Sequence, residues 1–294
     1  MKYETLYLHI GWSKTGTSAI QYHLNENFSE LSRQGILYSK TLQMNDQAHH
    51  HFALAFSPIH GYPAKYSVPQ VLDLVDDEML AEQCCSALIS SELSPFYLAN
   101  PKFNNWVKKF ERVEVIATIR QQSEVFLSLY NQLIKDPQVR LKASFFQLAI
   151  NNFQKFNYFT QLNRWAKVLG KENVTVLDYD KDIVDRFLSL FKLKECSSTT
   201  SVINKSLPID SLSLIQQRTR NVNQPGKYKE IVDSVLEEID RKRDTESANS
   251  ILVTKGELAA IDNFFTGSNR NVFRDFVRDR AEWSKKKYSD IWVY

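Results

Sequence analysis

The chain has 294 residues, of which 43% are hydrophobic, 12% aromatic and 24% charged, with a formal net charge of +3. This is globular composition with enough apolar material for a sizeable core. The slight charge argues against a dedicated nucleic-acid binder, which would show a concentrated basic face.

The short basic clusters Arg241-Lys242-Arg243 and Lys285-Lys286-Lys287 read as solvated helix faces. Cys84 and Cys85 are adjacent and Cys196 stands alone, which is neither a metal-ligand spacing nor a disulfide framework. A reducing compartment fits. The N-terminal MKYETLYLHI lacks the charge-then-apolar order of a signal peptide, and no segment approaches the roughly 18 apolar residues of a membrane span. A soluble, cytoplasmic protein is expected. Without a linker, low-complexity tract or repeat, one domain over 1–294 is favoured.

In chain order, residues 6–10, 86–90, 113–119 and 174–177 form short apolar runs followed by polar residues. That is the pattern of strands buried in a parallel sheet. Helical spacing covers 17–27, 101–110, 123–135 and 157–169. The alternation predicts βαβ units and an α/β fold, with a central parallel sheet flanked by helices over 1–180. Residues 181–294 read as a mostly helical part of the same domain. Ligands in open α/β sheets bind beyond the carboxyl ends of strands, so the residues after each strand are the ones to weigh.

After the first run comes Gly11-Trp12-Ser13-Lys14-Thr15-Gly16-Thr17-Ser18. A glycine-rich turn entering a helix aims backbone N–H groups at one spot, where the helix end adds partial positive charge. An anion is its natural occupant. A nucleotide triphosphatase would place Lys and then Ser or Thr after the second glycine. Here Thr17 and Ser18 follow Gly16, and the lysine has moved inside the loop to Lys14. ATP hydrolysis is therefore disfavoured.

The stretch resembles the 5′-phosphosulfate loop of sulfotransferases that use 3′-phosphoadenosine 5′-phosphosulfate (PAPS). The resemblance implies that Lys14, Thr15, Gly16, Thr17 and Ser18 hold the phosphosulfate, with Lys14 stabilising the leaving phosphate. It implies a P-loop-like nucleotide-binding fold, 3′-phosphoadenosine 5′-phosphate (PAP) as product, and no metal. A second element is independent of the first. The third run ends in Arg120, and Ser128 follows on the next helix. This is similar to the family's 3′-phosphate clamp, for which the planar guanidinium fork of arginine is suited. Tyr179 lies where the family often has a tyrosine near the adenine. Around Phe264 to Val272, a Ser268-Asn269 turn resembles one in bacterial members and makes Arg270 a candidate donor contact.

Two candidates for the base that removes the acceptor's proton stay open. The first lies in His49-His50-His51-Phe52-Ala53-Leu54-Ala55, near His60. Consecutive histidines on a helix point in different directions and lack the spacing of a helical zinc pair. Resemblance to a His-x-x-Leu-Ala pattern selects His51 ahead of His50. The second is Glu92, directly after the second strand.

Asn204 to Leu207, Arg218 to Asn221, and the rings of Tyr62, Phe96, Tyr97 and Trp106 are candidates for an acceptor groove, as is the long segment 44–69. No extended apolar stretch suggests a large hydrophobic pocket, so a hydroxyl-bearing carbohydrate is the expected acceptor: a polysaccharide, an oligosaccharide or a glycolipid headgroup. A lipid-linked acceptor would bring the protein to the surface of the inner membrane, and a homodimer is compatible with the reading. The competing readings are a small P-loop kinase using ATP·Mg²⁺ and a nucleotide- or glycan-binding homologue without catalysis.

Overall fold

The structure, a computed structural model, describes residues 2–44, 47–58, 62–93, 97–195, 209–241, 253–277 and 283. Strand β1 (Tyr3–His9) leads through the glycine loop into α1 (Thr17–Glu26) and α2 (Phe28–Arg33), then β2 (Ile36–Leu37), α3 (His50–Phe56) and α4 (Val68–Ala81). There follow β3 (Ser86–Ser90), α5 (Pro101–Trp106), β4 (Phe110–Ile119), α6 (Gln122–Lys135) and α7 (Phe145–Asn152). Then come α8 (Tyr158–Leu169), β5 (Val174–Asp178), α9 (Ile183–Ser189), α10 (Ile209–Thr219), α11 (Pro225–Arg241) and α12 (Lys255–Asp275). Among the described residues, no helix is long and apolar enough to cross a membrane.

The five strands form one parallel sheet in the order β2-β3-β1-β4-β5, which bears out the expected α/β class. Four strands coincide with the four apolar runs. The fifth, β2, has two residues and is too short to show a period.

Side chains alternate between the faces of a strand, so residues two apart share a face. On one face Tyr7, Leu88, Ile116 and Leu177 pack with Ile20 and Leu24 of α1, Leu31 of α2, and Ile183 and Phe187 of α9. Two residues further along, the same face turns polar on three neighbouring strands, with His9, Ser90 and Thr118. All three are buried. An apolar layer thus ends in a polar row at the carboxyl edge, where the glycine loop begins.

The chain divides into two compact units. The first holds all five strands with α1 to α5, α8 and α9, and the second holds α6, α7, α10, α11 and most of α12. Residues 121–157 fall in the second unit with the later helices.

One expectation is corrected on α12. The segment 264–272 is the interior of α12 and not a turn. Ser268 Oγ donates to Asn157 Oδ1 at 2.7 Å. Asn269 is buried and exchanges two hydrogen bonds with Gln122, both at 2.9 Å. Serine and asparagine disfavour helix interiors because they compete for nearby backbone groups. Here partners from other segments remove that competition, so the local signal for a turn is overridden.

Asn269→Ala strips a buried amide of both bonds to its partner and is expected to cost about 1–3 kcal/mol in urea unfolding. Asn269→Leu combined with Gln122→Met, which removes both amides, should cost less than the single change.

Candidate active site

The loop after β1 continues the sheet before it turns. Ile10 N–H donates to Ile116 O at 2.9 Å and Trp12 N–H to Thr118 O at 3.4 Å. Trp12 is buried, with its ring edge-on to Tyr158 at 4.6 Å between centroids. This tryptophan therefore anchors the loop in the core.

The two glycines serve different needs. A Cβ on Gly11 would overlap the Thr118 hydroxyl and stand 2.6 Å from Thr17 Cγ2. Gly11 thus permits a close approach between loop and strand. Gly16 has φ +88°, the left-handed region that only glycine adopts without strain. Lys14 also has positive φ, at 70°, which is uncommon for a residue with a side chain. Left-handed residues at Lys14 and Gly16 curl the loop into the concave N–H arrangement that binds anions. No acidic residue occupies the first turn of α1 to oppose one. Thr15 and Thr17 are buried, while Ser18 is exposed.

Beneath the loop, Thr15 Oγ1 donates to Trp12 O at 2.5 Å and lies 2.8 Å from Thr118 Oγ1. His9 Nε2 is 3.4 Å from the same Thr118 oxygen, and His9 Nδ1 is 2.8 Å from Ser90 Oγ. Complete burial holds His9 neutral, with its pKa lowered to about 3.

Arg120, just past β4, donates from Nη1 to Lys14 O at 3.3 Å. Its guanidinium carbon lies 4.4 Å from the ring centroid of Tyr179. That ring also borders Gly16, since a Cβ there would meet Tyr179 Cε2 at 3.3 Å. Burial lowers the Arg120 pKa, and Tyr179 and Tyr158 act against that. Tyr158 Oη fixes the backbone by donating to Arg120 O at 2.8 Å. The structure therefore brings together three residues singled out from sequence: Lys14, Arg120 and Tyr179.

After β3, Gln21 of α1 donates from Nε2 to Ser90 Oγ at 3.2 Å and to Glu92 Oε2 at 3.1 Å. His50 Nδ1 is 2.8 Å from Ser91 Oγ, and His50 Nε2 is 3.9 Å from Glu92 Oε1. His51 is placed differently. Its ring meets Tyr66 edge-on at 5.6 Å, and its Nδ1 is buried without a hydrogen-bond partner. Burial, then Lys65 and His50, lower its pKa. His49 is structural: Ser90 N–H donates to Nδ1 at 2.9 Å, so Nε2 carries the proton and donates to Ser39 O at 2.8 Å. Burial lowers its pKa to about 3.

Ser128 is half-buried on α6 in the second unit, and Arg270 is exposed on α12. Arg218 pairs with Glu238 at 2.8 Å. Tyr97 and Trp106 are buried, Tyr97 against Phe52, Phe56 and Phe103. Tyr62 is exposed. His60, Phe96 and Asn204 to Leu207 lie outside the described residues. His9, Gln21 and Thr118 were not found from sequence, and the resemblance placed His50 behind His51, although it is His50 that lies beside Glu92. The available signal for His9 and Thr118 was a polar residue at or next to the end of an apolar strand.

No protein-family model and no curated protein matches the chain. Several solved structures resemble it, among them three at low similarity. A sulfotransferase from Alicyclobacillus acidocaldarius has 14% identity and TM-score 0.46, over 79% of this chain and 95% of that one. A mouse sulfotransferase, SULT7A1 complexed with PAP, has 14% identity and TM-score 0.41, over 91% and 84%. The sulfotransferase domain from the curacin biosynthetic pathway has 12% identity and TM-score 0.38, over 90% and 98%. Values this low add no weight, so a functional reading must stand on the site's own residues.

His9 and His49 have folded pKa values near 3 against 6.5 for the free side chain. Below pH 6.5 the unfolded chain takes up protons that the folded chain excludes. Their contribution is whole above that pH and is lost as pH falls toward 3. Each should contribute about 1.4 kcal/mol per pH unit across that window. Urea unfolding from pH 7 to pH 5 should show this slope reduced by one histidine's share in His49→Gln, whose amide keeps one acceptor and one donor. An unchanged slope would mean that His49 already titrates in the folded chain.

Proposed function

We propose that the protein is a sulfotransferase that moves the sulfuryl group of PAPS to a hydroxyl of its acceptor, with a carbohydrate as the acceptor class. The observation that carries this reading is the contact of Arg120 with the Lys14 carbonyl, with Tyr179 against both Arg120 and Gly16. Two cationic residues that follow different strands, Lys14 in the loop and Arg120 past β4, thus meet at the Lys14 carbonyl. A donor with phosphate groups at two positions uses both.

In this reading the loop N–H groups, Thr17 and Ser18 hold the 5′-phosphosulfate, and Arg120 takes the 3′-phosphate, for which guanidinium geometry is suited. Ser128 and Arg270 are further candidate donor contacts. Tyr179 supplies a ring face for the adenine. The acceptor oxygen forms a bond to sulfur as the bond from sulfur to the bridging oxygen breaks. Lys14 balances the charge that develops on the departing phosphate, an electrostatic contribution of the kind that dominates such transfers.

The acceptor's proton goes to Glu92. Gln21 ties this carboxylate to α1, the helix that the phosphate loop enters, whereas His51 faces Tyr66. That difference in placement favours Glu92 over His51. A positioned base typically contributes 10²–10⁴-fold.

Calorimetric titration with PAP, 5′-AMP and ATP·Mg²⁺ tests the donor. PAP should bind at least tenfold more tightly than 5′-AMP, and Arg120→Ala should remove about 1.5–3 kcal/mol of that binding. Equal or tighter binding of ATP·Mg²⁺ would favour a kinase instead. Tight PAP binding with no transfer to any hydroxyl acceptor would favour a binding protein.

A further inference from the structure

The polar row under the loop has a definite proton arrangement, which follows from counting donors. Thr15 Oγ1 spends its only hydrogen on Trp12 O. In the 2.8 Å contact between Thr15 and Thr118, Thr118 must therefore be the donor. Its single hydrogen is then used, so toward His9 Nε2 the Thr118 oxygen can only accept. The proton of a neutral His9 consequently lies on Nε2, and Nδ1 is an acceptor. Ser90 Oγ donates to that Nδ1 at 2.8 Å and itself accepts from Gln21 Nε2. The other hydrogen of the Gln21 amide goes to Glu92 Oε2.

Every donor in the series points the same way, from Gln21 through Ser90, His9 and Thr118 to Thr15 and the Trp12 carbonyl. The series crosses β3, β1 and β4, three neighbouring strands. Hydrogen bonds chained in one direction polarise one another, and a buried network with every member satisfied is rigid. The main chain holds it from outside as well. His49 N–H donates to Ser90 O at 2.8 Å, and Ser91 N–H donates to His9 O at 3.1 Å.

We infer that His9 is a positioning residue, the centre of a buried donor chain that fixes the phosphate loop and Glu92 relative to each other. His9 and Thr118 are both buried beneath the loop. Each acts through Thr15 at one end and Gln21 at the other. The role assigned to Glu92 and the loop rests on the sulfotransferase reading, whereas the donor chain does not depend on it.

Two experiments on the full chain separate these. In nitrogen-15 NMR without nucleotide, His9 should be a neutral Nε2–H tautomer between pH 6 and pH 8. Ser90→Ala should also shift the amide resonances of Thr15 and Gly16 across the sheet. An Nδ1–H tautomer, an imidazolium, or unmoved loop amides would overturn the inference.

In calorimetry with PAP, Thr118→Val should weaken binding at least about fivefold, and Thr118→Ser, which keeps the hydroxyl, should restore it. Ser90→Ala should also weaken binding. The double variant Ser90→Ala/Thr118→Val should be no weaker than Thr118→Val, because the chain is already cut. Additive losses, or a Thr118→Ser as weak as Thr118→Val, would mean separate local effects and no chain. Failure of the wild type to bind PAP would sink the donor reading and leave the tautomer and the loop amides to decide the network.

Discussion

The hydroxyl of Thr118 occupies the space that a side chain on Gly11 would need, and the carboxyl edge of the sheet is arranged around that contact. With no Cβ in the way, the loop settles onto the strand ends closely enough for Thr15 to meet Thr118. Any larger residue at Gly11 would lift the loop and leave buried hydroxyls without partners, which costs more than the bonds gain when made. The second glycine meets a separate demand, a left-handed turn into α1. A single motif therefore encodes a close approach and a backbone conformation.

Charge is placed with equal economy. Positive charge at the loop comes from Lys14, Arg120 and the start of α1, while His9 and His49 beneath are held neutral by burial. Neutral imidazoles offer one donor and one acceptor in a fixed relation, which suits them to brace strand ends without altering the local field. Cationic histidines at the same positions would need buried counter-charges. Lys14 carries backbone strain as well as charge, with φ at 70°. Strain of this kind concentrates at functional sites, where the surrounding structure holds it in place. Arg120 on the Lys14 carbonyl is part of that hold.

Much of this was legible in the residues, for identifiable reasons. Strands β1, β3, β4 and β5 declared themselves because buried parallel strands are continuous apolar runs. The loop was legible because its glycines and hydroxyls are local in sequence. Arg120 and Tyr179 could be placed because a strand end in an α/β sheet is a position with a known outlook. Long-range partnership was not legible. Nothing near Asn269 announces Gln122, so a polar pair inside α12 read as a turn. The three consecutive histidines showed that their rings diverge, but not that His50 would be the one beside Glu92. The row of His9, Ser90 and Thr118 needed the strand order, because the three residues become neighbours only when β1 lies between β3 and β4.

A crystal structure with PAP bound tests the central arrangement most directly. The expected result has the 5′-phosphate bonded to backbone N–H groups between Lys14 and Ser18, the 3′-phosphate within hydrogen-bond reach of Arg120, and the adenine against Tyr179. A nucleotide bound away from the loop, or one whose 3′-phosphate makes no contact with Arg120, would contradict it.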